Sequence, residues 1–133
     1  NCKCNRGIRG FRMKYDDNNI FAKILRGEIP CKKIYEDDFV LSFHDISPQK
    51  KIHVLVIPKG KYIDLDDFSS RATPEEMVGL IKGINIVAKK LGISTDTGKG
   101  YRALANISED GGQEVPHLHF HLFGGEKVGK MVQ

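Results

Sequence analysis

The sequence predicts an α+β fold: an antiparallel sheet of about five strands, with a short N-terminal helix and a long crossover helix. Three observations predict it. Short β-branched or aromatic segments bounded by turn residues follow one another closely over residues 31–58. One long stretch, 73–92, has helical periodicity with both ends marked. Apolar and polar side chains alternate in HLHFHLF, residues 117–123. The 133 residues, 40% of them hydrophobic, suffice for one domain with its own core.

The elements follow in chain order. Asp16, Asp17, Asn18 and Asn19 crowd the start of IFAKILRG and can cap the free amides of a first turn. Ile20, Phe21, Ile24 and Leu25 recur at helical spacing, and Gly27 and Pro30 end the run. CKKIYEDD and FVLSFHD read as two strands joined at Asp37 and Asp38, with Ile34, Phe39, Leu41 and Phe43 as apolar contributors. SPQKK is a turn, and HVLVIP, 53–58, is a third strand stopped by Pro58. Residues 60–71 read as an irregular connection anchored by Ile63, Leu65 and Phe68.

The long helix starts at a capping box, Thr73 with Glu76, and has Pro74 at its first position. Met77, Leu80, Ile81, Ile84, Val87, Ala88 and Leu91 form the expected apolar stripe, and Gly92 suits the exit. Gly79 and Gly83 weaken the helix and suit a close approach by another element. GYRALANIS is a fourth strand, EDGGQEVP a glycine loop, and HLHFHLF the fifth strand.

Charge is distributed unevenly. Residues 1–14 hold five Lys and Arg and no acid, so the formal +4 is +5 from this extension and −1 from residues 15–133. We expect 1–14 to be a disordered or non-native basic extension and 15–133 to be the single domain. A body without excess cations argues against nucleic-acid binding. No apolar run is long enough to cross a bilayer. Cys2, Cys4 and Cys31 fit neither a zinc knuckle nor a disulfide framework, and suit a reducing compartment. The expected location is cytoplasmic, with the nucleus or organellar targeting by the extension left open.

Three histidines at every second position pose the functional question. On a strand, His117, His119 and His121 share one side while Leu118, Phe120 and Leu122 anchor the other. A row of exposed or core-satisfied imidazoles is one reading. A zinc site is a second, but three ligands in a straight row need help, and His44 and His53 are the other histidines available. Chemistry at a phosphorus or acyl centre is the third. A neutral imidazole is a competent nucleophile and a neighbour can carry protons. The GGQE turn just upstream can aim backbone amides at a phosphate, and Asn106 is a polar candidate on the adjacent strand.

HLHFHLF resembles the histidine-triad (HIT) signature, His-x-His-x-His followed by two hydrophobic residues. FHDISPQ, HVLVIPK, GYRALAN and GGQEVPHLHFHLFGG resemble the nucleotide-binding branch of purine nucleoside phosphoramidases, in the same order, from about Ile20 to Gly125. The resemblance implies a HIT-like fold and a homodimer with sheets continuous across the interface. It implies that His119 is the nucleophile and forms a nucleotidyl-histidine, and that His121 assists proton transfer at the leaving group. It places His117 behind the nucleophile, orienting it through a backbone carbonyl and joining a network with His53.

Asp45 would bind the ribose hydroxyls, with Ile46 beside it. Ile20, Phe21, Ile24, Ile29 and Phe43 would form the apolar cleft for the base, although periodicity alone makes Ile20, Phe21 and Ile24 plain core. Asn106, Gly112 and Gln113 would lie near the phosphate. Glu114 stands where the animal form has a phosphate-binding serine; its charge suits a cationic leaving group, a neighbouring amide or solvent better than a phosphate.

The implied activity is metal-independent, cofactor-free cleavage of purine nucleoside phosphoramidates of the adenosine 5′-monophosphoramidate type. The alternatives are a dinucleoside polyphosphate hydrolase and a non-catalytic purine-nucleotide sensor or scaffold.

Overall fold

A computed structural model describes residues 14–133; residues 1–13, most of the expected basic extension, lie outside the described part. Five strands form one sheet: β1 (Lys33–Glu36), β2 (Val40–His44), β3 (Ile52–Pro58), β4 (Arg102–Leu104) and β5 (Phe120–Gly124). Their order is β1-β2-β3-β5-β4, and every neighbouring pair is antiparallel. Four helices accompany them: α1 (Ile20–Leu25), α2 (Leu65–Arg71), α3 (Pro74–Lys90) and α4 (Ser108–Gly111). The α+β class, the five strands, the short first helix and the long crossover helix are therefore as expected. No described helix is long and apolar enough to cross a membrane.

The two faces of the sheet have different covers. Val40, Val54, Val56, Leu118 and Leu122 pack with Leu80, Ile84 and Val87 of α3 on one side. Leu41, Phe43, Leu55 and Ile57 pack with Phe21 of α1 on the other. A strand covered on both faces loses its polar alternation, which is why six of the seven residues of β3 are buried.

Local chemistry sets the helix ends. Among the four acidic or amide candidates before α1, Asn19 is the cap, and its side chain accepts the Ala22 N–H at 2.9 Å. The Thr73–Glu76 capping box is formed in both directions. The expected stripe of α3 is narrower than its periodicity suggested. Leu80, Ile84, Val87 and Ala88 are buried, but Ile81 points outward and is 64% exposed.

Three expectations need correction. The connection over 60–71 contains α2, because Asp64 accepts the Asp67 N–H at 2.8 Å and Arg71 bridges back to Asp67 at 2.7 Å. Its short apolar spacing hid a helix held by polar contacts. The fourth strand is only three residues long, and the glycine loop after it opens with α4. The fifth strand starts at Phe120, so His117 and His119 precede the ladder instead of belonging to it.

Gly83 explains how α3 reaches the sheet. A Cβ there would stand 2.8 Å from a methyl carbon of Val40, which is wholly buried and cannot retreat. Gly83→Ala therefore sets a helix-propensity gain of up to about 1 kcal/mol against overpacking of about 1–3 kcal/mol. We expect a net loss of about 1 kcal/mol, read as a lower urea midpoint. A raised midpoint would contradict the close contact.

Candidate active site

The register of β3 against β5 opposes Leu55 to His121 and His53 to Phe123, so the imidazoles of His53 and His121 project from the same face of the sheet. Leu118, immediately before His119, is buried in the opposite cluster with Leu122. Its amide donates to the Tyr62 carbonyl at 2.8 Å. Alternation thus continues upstream of the ladder, and His117, His119 and His121 gather on the α1 side. The rings of His119 and His121 are 5.0 Å apart, and Phe21 meets the His119 ring edge-on at 5.0 Å.

Each imidazole has a partner that fixes where its proton sits. A carbonyl can only accept, so the 2.7 Å contact from His119 Nδ1 to the His117 carbonyl puts the proton on Nδ1. The Nε2 of His119 therefore carries a lone pair. His117 Nε2–H donates to the Pro58 carbonyl at 2.8 Å, and its Nδ1 accepts the Tyr15 hydroxyl at 2.6 Å. The Gln49 N–H donates to His53 Nδ1 at 3.1 Å, which leaves the proton of His53 on Nε2. That Nε2–H donates to His121 Nδ1 at 2.9 Å, so His121 holds its own proton on Nε2.

Burial keeps these rings neutral. Desolvation pushes His117 down to about 4, with the Pro58 carbonyl opposing it. Desolvation, with the neighbouring His119 and His53, pushes His121 down to about 4. His119 is also lowered by burial, against the raising influence of the His117 carbonyl, Asp45 and Glu114. His53 is lowered by burial, with Asp45 pulling the other way. At neutral pH the cluster therefore offers an unprotonated nitrogen on His119.

The other expected residues are placed unevenly. Asp45 lies at the end of β2 with Oδ1 accepting the Ser47 N–H at 2.8 Å, a local turn contact, and Oδ2 3.5 Å from His53 Nε2. Ile46 beside it is 92% exposed. Phe21 and Phe43 are buried and meet edge-on at 5.6 Å, and Ile24 packs against them. Ile29 is half-buried, and Ile20 is exposed at the start of α1. Asn106 is half-buried in the connection after β4, and a Cβ on Gly111 would meet its backbone at 3.5 Å. Glu114 is exposed, yet its charge is felt at His119.

Three site expectations are corrected by the geometry. His117 and His53 do not share a network; His53 bonds His121, while His117 is held by Tyr15 and Pro58. The reason is register, since β3 places His53 beside the downstream end of the triad. Gln113 is not free to contact a ligand: its amide nitrogen donates to the Ile63 and Val115 carbonyls, and its oxygen accepts the Ser108 N–H. The expected phosphate cradle also loses two amides. Gly112 N–H donates to Glu109 and Gln113 N–H to Ser108, closing α4 with Gly112 in the left-handed region at φ 77. Gln113 instead clamps Ser108, whose φ of 60 is unusual for a residue with a side chain.

Tyr15, Gln49 and Pro58 were missed. Their roles depend on a phenol 102 positions from its partner, a backbone amide and a backbone carbonyl, and no residue pattern announces these.

Asp45, His53 and His121 each present a donor atom, all within 4.8 Å of one another, the spacing of a candidate metal site. The hydrogen bonding opposes it. A ligating Nε2 needs its proton moved to Nδ1, where it would face the Gln49 N–H; histidine ligands require the reverse, an acceptor behind the ring.

Residues 26–128 match the HIT domain family. The chain is 55% identical over 118 residues to an uncharacterised 13.2 kDa HIT-like protein of Azospirillum brasilense, covering 89% of this chain and 94% of that one. It is 42% identical over 117 residues to the purine nucleoside phosphoramidase of Escherichia coli, covering 87% and 94%. Among solved structures, a HIT family hydrolase from Clostridium thermocellum superposes with a TM-score of 0.78 at 36% identity, over 88% of this chain and 98% of the other. A histidine triad protein from Clostridium difficile gives 0.74 at 40% identity, over 89% and 98%. Fold, triad and sequence agree along most of the chain, which belongs to the HIT domain family.

Proposed function

We propose that this protein is a nucleotide hydrolase that cleaves purine nucleoside phosphoramidates to the nucleoside monophosphate, without a metal, through a nucleotidyl-histidine. The lone pair on His119 Nε2 carries this reading, aimed by the Nδ1–H bond to the His117 carbonyl. The likeness to the Escherichia coli phosphoramidase supports the substrate class.

In the first step Nε2 of His119 attacks the α-phosphorus and the phosphorus–nitrogen bond to the amine breaks. The new imidazolium keeps its Nδ1–H on the His117 carbonyl, whose dipole stabilises the charge. The departing amine needs a proton. His121 supplies it in this scheme: the phosphate anion brought alongside raises its proton affinity from about 4. It takes up a proton from solvent at Nδ1 as the His53 Nε2–H turns to Asp45 Oδ2, 3.5 Å away, and the imidazolium gives its Nε2 proton to the amine and is left neutral. In the second step water attacks phosphorus, the phosphorus–Nε2 bond breaks, and the water proton returns through the same histidines. Asp45 holds the ribose hydroxyls through its remaining acceptor capacity, and the Phe21–Phe43 pair with Ile24 forms the floor beneath the base.

Incubation with adenosine 5′-monophosphoramidate should release AMP at a rate insensitive to exhaustive chelation. Binding without AMP would favour a sensor. Faster cleavage of a dinucleoside polyphosphate would favour the polyphosphate hydrolase, and activity lost on chelation and restored by zinc would contradict the metal-free mechanism.

A homodimer is part of the same proposal. β4 is an edge strand, and Val78 and Ile81 of α3 stand 53% and 64% exposed, surfaces that association would cover. Sedimentation at low micromolar concentration should show about twice the chain mass, and a monomer alone would overturn this part. The free thiol of Cys31 suits the reducing cytoplasm we assign to the protein.

A further inference from the structure

A cavity of about 520 Å³ adjoins the downstream end of the histidine cluster, between β4, β5 and the chain after residue 127. Lys50, Arg102, Leu104, Phe123, Val128 and Lys130 are among the residues that line it. The cavity and the site share a wall. Leu104 is opposed to His121 in the β4–β5 ladder and Arg102 to Phe123. The Phe123 ring lies parallel to His121 at 5.8 Å and 4.2 Å from His53. Gln49, whose amide holds His53, is in the same lining.

The chemistry of the lining is one-sided. Among the described side chains it has three cations and no Asp or Glu, with Leu104, Phe123, Val128 and Met131 as the apolar part and Gln49 and Gln133 as neutral polar groups. Among the described residues none of Lys50, Arg102 and Lys130 has an acidic partner within ion-pair distance. Arg102 is fixed, donating to the Gly129 and Lys130 carbonyls at 2.9 Å each, so the final segment is held as the outer wall. Glu126, the acid nearest in sequence, is turned to the Lys51 N–H at 2.7 Å. A recess part apolar and part cationic, whose cations have no acidic partner among the described residues, suits an organic anion.

We propose that this cavity receives the leaving group and selects phosphoramidates whose departing amine carries a carboxylate, as an amino acid does, over neutral or cationic amines. The inference rests on the phosphoramidase reading and deepens it. His121, the proton donor of that reading, neighbours the cavity through Phe123 and Leu104, which line it. Strand residues advance about 3.3 Å each, so Phe123 lies roughly 13 Å along the chain from His119. An amine with a side-chain carboxylate therefore reaches the cations better than a short one. Glu114, felt at His119 from the glycine-loop side, argues for the opposite preference, and the two are separable by charge.

The test compares adenosine phosphoramidates of ammonia, of glutamate, of the neutral glutamate diamide and of ornithine amide, by kcat/KM. Glutamate should exceed the diamide by about five- to tenfold, the size expected of several partly screened charges, and raised salt should shrink the difference. The double variant K50E/K130E should erase the glutamate-to-diamide ratio, and K50R/K130R should keep it. Both are exposed or half-exposed positions, and an unchanged thermal midpoint verifies folding. A diamide or ornithine amide cleaved as fast as glutamate overturns the proposal, as does a preference that survives charge reversal. If the ammonia compound is cleaved but charge has no effect, only the cavity assignment fails. If no compound releases AMP, the phosphoramidase reading fails and takes this one with it.

Discussion

His119→Ala is expected to reduce steady-state AMP release by at least about a thousandfold, the scale seen when a covalent nucleophile is removed. That corresponds to about 4 kcal/mol of transition-state stabilisation. The loss should fall on kcat, because the groups proposed to bind the nucleoside, Asp45 and the Phe21–Phe43 pair, lie on other elements. A purine mononucleotide should still bind. The neighbours cannot take over, since His117 has both ring nitrogens occupied, by Tyr15 and Pro58, and His121 Nδ1 accepts from His53. The remaining nitrogen of His121 carries a proton. Retained turnover in the variant would mean that a different nucleophile, or water directly, attacks phosphorus.

The second large effect is on stability in mild acid. His117 is wholly buried and its folded value lies near 4, well below the ordinary value of about 6.5 for an exposed imidazole. Between these values the unfolded chain binds a proton that the folded chain refuses. Stability is therefore fully present above about pH 6.5 and is lost as the pH falls toward 4. The gap amounts to about 3 kcal/mol for His117 alone, and His121, also near 4, acts in the same direction. Urea midpoints should fall steeply between pH 6.5 and pH 5, above the range in which most carboxylates titrate. His117→Gln should flatten that slope even if it lowers the midpoint throughout. A midpoint independent of pH over this range would contradict a neutral, buried His117.

Much of the architecture was legible because it rests on local rules. The Thr73–Glu76 box, Pro74 and the 3.6-residue stripe specify α3 before any tertiary contact is considered. Alternation in HLHFHLF separated the histidines from Leu118 and Leu122 correctly, although the hydrogen-bonded ladder begins only at Phe120. Polar contacts were harder to foresee. Helix α2 depends on Asp64, Asp67 and Arg71, whose geometry matters more than any apolar period. Gly111 and Gly112 looked like an open anion cradle, but their loop closes on itself because Gln113 reaches Ser108, Ile63 and Val115 together.

The site shows the same division. Sequence could name the histidines, yet their division of labour follows from long-range partners. Tyr15 and Pro58 hold His117, and a backbone amide at Gln49 sets the tautomer of His53. That tautomer also bears on the metal question posed by Asp45, His53 and His121, because it places a proton where a ligand's lone pair would have to be, and the chelation test addresses it directly. In this arrangement His53 and His121 are hydrogen-bonded to each other, with Asp45 Oδ2 3.5 Å from His53 Nε2.

The central claim is that His119 Nε2 forms a covalent bond to phosphorus. Rapid acid-free quenching during turnover of adenosine 5′-monophosphoramidate, followed by proteolysis and mass spectrometry, tests it most directly. The account predicts an added adenylyl group on His119, formed and consumed at rates compatible with AMP release. An adduct on His117, His121 or any other side chain, or turnover with no adduct at any time, would contradict it.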